Sequence, residues 1–182
     1  MISHHFDLME AAGIQIVVLS WWGQAANNES RDTQGVSTDL ILMELLNVLE
    51  RRGNHLNVKL AFHLEPYHSR SISSIKRDVE YIYDKYGSYK CIYKDEAGKM
   101  LFYVYDSYHI RVHDWQTLLQ PEGMISLRRS RYDSLFIGLW LNHEDGRNLL
   151  NSGFDGAYTY FASNGKLHSY YIILHISMYT MY

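Results

Sequence analysis

The chain has 182 residues, 47% of them hydrophobic and 20% charged, with a net charge of -3. That is ordinary globular composition for one domain, and it argues against long-range disorder. No basic block or stripe is present, which argues against a nucleic-acid footprint, and the lone cysteine, Cys91, excludes an intramolecular disulfide and a cysteine-rich zinc site.

The elements read as helices alternating with strands. A short helix carrying Phe6 and Met9 is closed by Gly13, and the apolar run Ile14 to Leu19 follows as a strand covered on both faces. After a polar loop from about Gly23 to Ser37, Leu42, Leu45, Leu46 and Leu49 mark one face of a helix that Gly53 ends. Val58 to His63 is the second strand. Ile72, Ile75, Val79, Ile82 and Tyr86 then give the clearest helical period in the chain, closed by Gly87. Met100 to Tyr105 is the third strand, and Trp115, Leu118 and Leu119 suggest a helix stopped before Pro121. Leu135 to Leu141, a short helix near Asn148 to Asn151, and Phe154 to Tyr160 complete the series.

Repeated strand-helix-strand units imply an α/β fold with a parallel sheet. An open doubly wound sheet and a (β/α)8 TIM barrel both fit. No G-x-G-x-x-G turn or P-loop follows any strand, so a nucleotide fold lacks its signature. A barrel commonly takes about 250 residues, so about five βα units are present here. No run of about eighteen apolar residues occurs. The opening Met1 to Asp7 has neither the basic start nor the apolar core of a signal peptide.

Function in such folds gathers at the carboxyl ends of strands. Those ends read Ser20-Trp21-Trp22-Gly23, His63-Leu64-Glu65-Pro66-Tyr67, Asp106-Ser107-Tyr108, Asn142-His143-Glu144 and Tyr158-Thr159-Tyr160. Aromatic rings suit the apolar faces of pyranoses, and carboxylates accept strong charge-assisted bonds from sugar hydroxyls.

Each residue also has a plainer reading. Trp21 or Trp22 packs under a loop, and Asp106 caps a helix or forms an Asx-turn. His63 and Glu65, two apart in a strand, share a face and resemble half of a metal site; no P-C-x-x-C follows, as a zinc deaminase would need. His143-Glu144-Asp145 reads as a solvated loop, and His4 and His5 as surface residues. Nucleophilic catalysis has little support: no G-x-S-x-G elbow occurs, and Cys91 has no readable partner.

The segments HFDLM (5–9), VLSWW (18–22), KLAFHLEPY (59–67), YIYDKYG (81–87), LFYVYDSY (101–108), YDSLFIGL (132–139) and GFDGAYTYFASNG (153–165) together resemble glycoside hydrolase family 99. The resemblance implies a (β/α)8 barrel over residues 1–165, followed by an unrelated tyrosine-rich tail, 166–182. It implies an endo-acting, retaining α-1,2-mannosidase of the Golgi lumen, working on glucosylated high-mannose N-glycans without metal or cofactor. Its membrane anchor would precede this chain's start. Glu65 matches the carboxylate beside the mannose being cleaved. Trp21, Trp22, His63, Tyr67, Asp106, Tyr108, Tyr158 and Tyr160 match residues expected to line the sugar cleft, with Trp22 facing the outer sugar. The family's general acid and base belong to a late Asn-Glu-Trp-His-Glu-Gly-like motif that is absent from these residues. The chain therefore reads as an internal portion of the barrel, inactive alone, or as a non-catalytic glycan-binding fragment.

Overall fold

A computed structural model describes residues 2–26, 35, 37–52 and 57–159. The expected tail, its boundary at residue 165, the helix end at Gly53, and Tyr160 lie outside these residues. The elements run α1 (Ile2–Ala11), β1 (Ile16–Trp21), α2 (Thr38–Glu50), β2 (Lys59–Leu64), α3 (Ile72–Tyr86), β3 (Leu101–Val104), α4 (Val112–Leu119), β4 (Leu135–Leu139), α5 (Asp145–Ser152) and β5 (Gly156–Tyr158).

The strands form one sheet in the order β1-β2-β3-β4-β5, and every neighbouring pair is parallel. Consecutive strands are thus consecutive neighbours. A doubly wound sheet reverses its strand order partway, and this one does not, so the sheet has the winding of a barrel.

The period-two alternation of side chains divides the sheet into two layers. On one face Leu60, Phe62, Leu64, Phe102, Val104 and Phe136 pack with the apolar sides of the helices. The rings of Phe62, Phe102 and Phe136 stand in register on adjacent strands and stack at 5.8 and 5.6 Å. The other face carries Ala61, Leu101, Tyr103 and Ile137, with Ile16, Leu135 and Tyr158 against them. This second face is the inside of the arc. Along β1 it is open: Val18 is 37% exposed and Ser20 is exposed. The expectation that the first strand is covered on both faces fails among the described residues: β1 has a strand neighbour on one side only, and its inner-face side chains Val18 and Ser20 have nothing packed over them.

Helix α3 follows its sequence closely. Ile72, Ile75, Val79, Ile82 and Tyr86 are all buried, and a reciprocal capping box of Ser71 and Ser74 starts the helix. At the amino ends of the strands, Arg128 ties three segments together. Its guanidinium donates to the carbonyls of Leu119 (2.9 Å), Ser134 (2.6 Å) and Gly153 (2.7 Å), and pairs with Asp133 and Asp155.

Candidate functional site

The strand register brings the expected residues together at the carboxyl ends. Ser20, His63, Tyr103 and Ile137 are register partners across four strands. They share the inner face with Tyr158, which leaves β5 beside them. His63 Nδ1 lies 2.7 Å from Glu65 Oε1, and its Nε2 lies 2.6 Å from the Tyr158 hydroxyl. With a neutral imidazole, Nδ1–H donates to Glu65 and Nε2 accepts the tyrosine proton. The ring is also framed by Tyr105 at 5.5 Å and by Tyr158 edge-on at 5.7 Å. The His63 and Glu65 side chains are each 11% exposed. Glu65 Oε2 takes no hydrogen bond from the described residues. The pair is thus a narrow polar window in an otherwise apolar and aromatic floor.

The loop after β3 supplies the rim. Asp106 has φ 48 and ψ 43, a left-handed conformation that aspartate tolerates better than most residues. It stands at the cap position of a 3-10 turn over Ser107–His109, but its side chain makes no capping bond there. Its Oδ1 instead accepts the Tyr108 hydroxyl at 2.7 Å, which holds the phenol pKa up at about 12. Tyr108 is 48% exposed and offers a ring to solvent.

Arg70 fixes this rim to the neighbouring strand end. It donates to the carbonyls of Leu64 (3.2 Å), Tyr105 (2.7 Å) and Asp106 (2.9 Å). Burial lowers the guanidinium pKa, and the nearby charges of Asp106 and Glu65 act in the opposite sense. Nothing in the local sequence marks Arg70, because its three acceptors come from two different strand ends.

Two expected sugar contacts are placed elsewhere. Trp21 has no exposed surface and packs on the helix side against Phe62, Tyr81 and Tyr86. Its position one residue from Ser20 turns it away from the inner face. Tyr67 is buried, and its hydroxyl donates to Asp78 Oδ2 at 2.7 Å, on α3. Burial and that carboxylate push its phenol well above the usual range. Trp22 is half-buried at the end of β1.

The plainer readings resolve in detail. His63 and Glu65 bond to each other, and no group of three or more His, Cys, Asp or Glu side chains suited to a metal ion occurs among the described residues. Asp145 accepts the backbone N–H groups of Leu141 and Asn142 and so closes the loop after β4. Cys91 is buried, and burial followed by the nearby Glu50 carboxylate raises its thiol to about 12. Burial and a raised pKa both work against a nucleophilic role at neutral pH.

The model of glycosyl hydrolase family 99 matches residues 1–172. Glycoprotein endo-alpha-1,2-mannosidase of Mus musculus is 40% identical over 169 residues, covering 91% of this chain and 35% of its own length. The glycoprotein endo-alpha-1,2-mannosidase-like protein of Danio rerio is 40% identical over 169 residues, 36% of its length. The chain therefore spans about a third of the length of the curated relatives it matches. Among solved structures, the GH99 endo-alpha-mannosidase of Bacteroides thetaiotaomicron superposes with a TM-score of 0.75 at 32% identity, over 91% of this chain and 47% of that one. With the family model running through all five strands and the fold agreeing at that identity, the chain belongs to glycoside hydrolase family 99.

Proposed function

We propose that the chain recognises the α-1,2-linked mannose branch of glucosylated high-mannose N-glycans, the substrate of an endo-acting, retaining α-1,2-mannosidase of the Golgi lumen. The observation that carries this reading is the Tyr158–His63–Glu65 chain of hydrogen bonds at the strand ends. It holds one carboxylate oxygen of Glu65 and leaves the other for sugar hydroxyls, whose bonds to an ionised acceptor are the strong ones. Trp22, Asp106 and Tyr108 flank it as apolar and polar contacts, and Tyr160 is the remaining candidate. No helix of the described residues is long and apolar enough to cross a membrane, so an anchor is not assigned to them.

Glycoside hydrolysis takes two positioned carboxyl groups. In this reading one protonates the leaving oxygen. The other removes the proton of the substrate's own 2-hydroxyl, whose oxygen attacks the anomeric carbon; the glycosidic bond breaks and a 1,2-anhydro sugar forms, which water then opens. Both groups belong to a paired-glutamate Asn-Glu-Trp-His-Glu-Gly-like motif in this reading, and the 182 residues contain no such motif. The 182-residue polypeptide is therefore expected to bind glycan without cleaving it, which is also what a non-catalytic glycan-binding protein would do.

Calorimetric titration with a glucosyl-mannose disaccharide tests the reading. Glu65→Gln keeps the shape and removes the charge, and it should weaken binding about tenfold, the equivalent of one charge-assisted bond. Unchanged affinity would remove Glu65 from the site. Robust cleavage of an α-1,2-mannoside by this polypeptide would overturn the assignment of the acid and base to other residues.

A further inference from the structure

Trp22 is fixed from both sides. Before it, Trp21 is rooted among Phe62, Tyr81 and Tyr86. After it, Gly23 is buried with φ 96, a conformation that side-chain-bearing residues rarely adopt. The next two residues are clamped onto buried carboxylates. The Gln24 amide donates to Asp78 Oδ1 at 3.1 Å, and the Ala25 N–H donates to Asp39 Oδ2 at 2.9 Å.

Asp78 has a second bond of a different origin. Its Oδ2 accepts the Tyr67 hydroxyl at 2.7 Å. Tyr67 lies two residues beyond Glu65, and its own N–H donates to the Glu65 carbonyl at 3.0 Å. One buried carboxylate on α3 thus takes one donor from the loop that carries Trp22 and one from the loop that carries Glu65. A carboxylate out of water is costly unless its oxygens are occupied, so both loops are held to the positions that occupy them.

We propose that Asp78 is a positioning residue that sets the spacing between Trp22 and Glu65, and through it the site's discrimination of the outer sugar of its glycan. Glucose and mannose differ only in whether the 2-hydroxyl is equatorial or axial. A disaccharide whose inner mannose lies at Glu65 and whose outer ring lies at Trp22 must span the spacing between the two loops, so a change of spacing alters how an equatorial or axial 2-hydroxyl on the outer ring is accommodated, and Asp78 holds that spacing without touching sugar. The inference rests on the glycan-binding reading above.

A double-mutant cycle on the 182-residue chain tests it. Gln24→Ala and Tyr67→Phe each delete one donor to Asp78 and leave the carboxylate in place. Affinity is measured for a glucosyl-mannose and a mannosyl-mannose disaccharide, and amide hydrogen exchange over residues 20–26 is measured in parallel. Each single variant should bind the preferred sugar about tenfold more weakly and narrow the ratio between the two sugars. The double variant should be little worse than either single one, because both act through the same node. Additive losses, or an unchanged sugar ratio in both single variants, would overturn the proposal, since a merely structural role lowers both affinities alike. If the wild-type chain binds neither sugar, the glycan reading fails and the discrimination claim falls with it. Exchange then decides the clamp: faster exchange over 20–26 in Tyr67→Phe, whose substitution lies in the other loop, sustains it, and unchanged exchange overturns it.

Discussion

Replacing Arg70 should cost more stability than its surroundings suggest, and the cost should be local in origin. Its guanidinium donates to the carbonyls of Leu64, Tyr105 and Asp106 at 3.2, 2.7 and 2.9 Å. Hydrogen bonds to a charged group contribute about 1.5–3 kcal/mol each. Two of the three acceptors keep another donor, Tyr105 N–H on Leu64 O and His109 N–H on Asp106 O. Their loss is therefore partial, and removing a half-buried cation also returns part of its desolvation cost. The balance for Arg70→Ala is about 3 kcal/mol, a large share of the stability of a domain this size. At an m-value of about 2 kcal/mol/M the urea midpoint should fall by about 1.5 M. Arg70→Lys should recover no more than about half, because an ammonium cannot present the planar fork that three diverging carbonyls need. The loss should persist in 1 M salt, which screens distant charges and leaves buried bonds nearly unaffected. A loss under about 1 kcal/mol, full rescue by lysine, or disappearance in salt would each refute the reasoning. The last outcome would recast Arg70 as a long-range partner of Asp106 and Glu65.

Asp39 should govern the acid limb of stability. Burial works to raise its pKa, but bonds from Tyr86, the Ala25 N–H, Tyr81 and Lys85 outweigh it and hold the carboxyl below its ordinary value of 3.8. Its contribution is therefore present above that value and is lost as pH falls through the lower folded value. Asp39→Asn should lower stability by about 3 kcal/mol at pH 7 and flatten the dependence below about pH 4, as urea unfolding across pH will report. Arg128→Ala should cost about 4 kcal/mol by the same assay, since three carbonyls and two carboxylates lose a partner. Cys91 should resist a thiol reagent at pH 8 in the native chain and react completely in urea, and native labelling at the rate of free cysteine would contradict its burial and raised pKa.

Much of the frame was legible because it is periodic. The spacing of Ile72, Ile75, Val79, Ile82 and Tyr86 located α3 to the residue. The strand cores were read correctly, with ends displaced by at most two residues and the start of β4 at Leu135 matched, because the last apolar residue of a run says little about where pairing stops. Strand-end position and family motif marked His63, Glu65 and Tyr158 separately; that they bond to one another is visible only in the structure. Trp21 and Tyr67 were misplaced as cleft residues for one physical reason. A strand end shows which residues are near the cleft but not which face each side chain takes, and the neighbours that decide, Tyr81, Tyr86 and Asp78, lie on α3. Arg70, Asp39 and Asp78 gave no sequence signal, since their partners are brought in only by tertiary packing.

The stacked Phe62, Phe102 and Phe136 have one more consequence. Each precedes by one position a residue of the inner face, His63, Tyr103 and Ile137 respectively. A slip of one residue between strands would turn a phenylalanine into the cleft and a cleft residue into the helix layer. The stacked rings therefore act as an alignment key. While they hold, the inward residues are free to change with the sugar being recognised, so selection on ligand and selection on folding fall on alternate positions of the same strands.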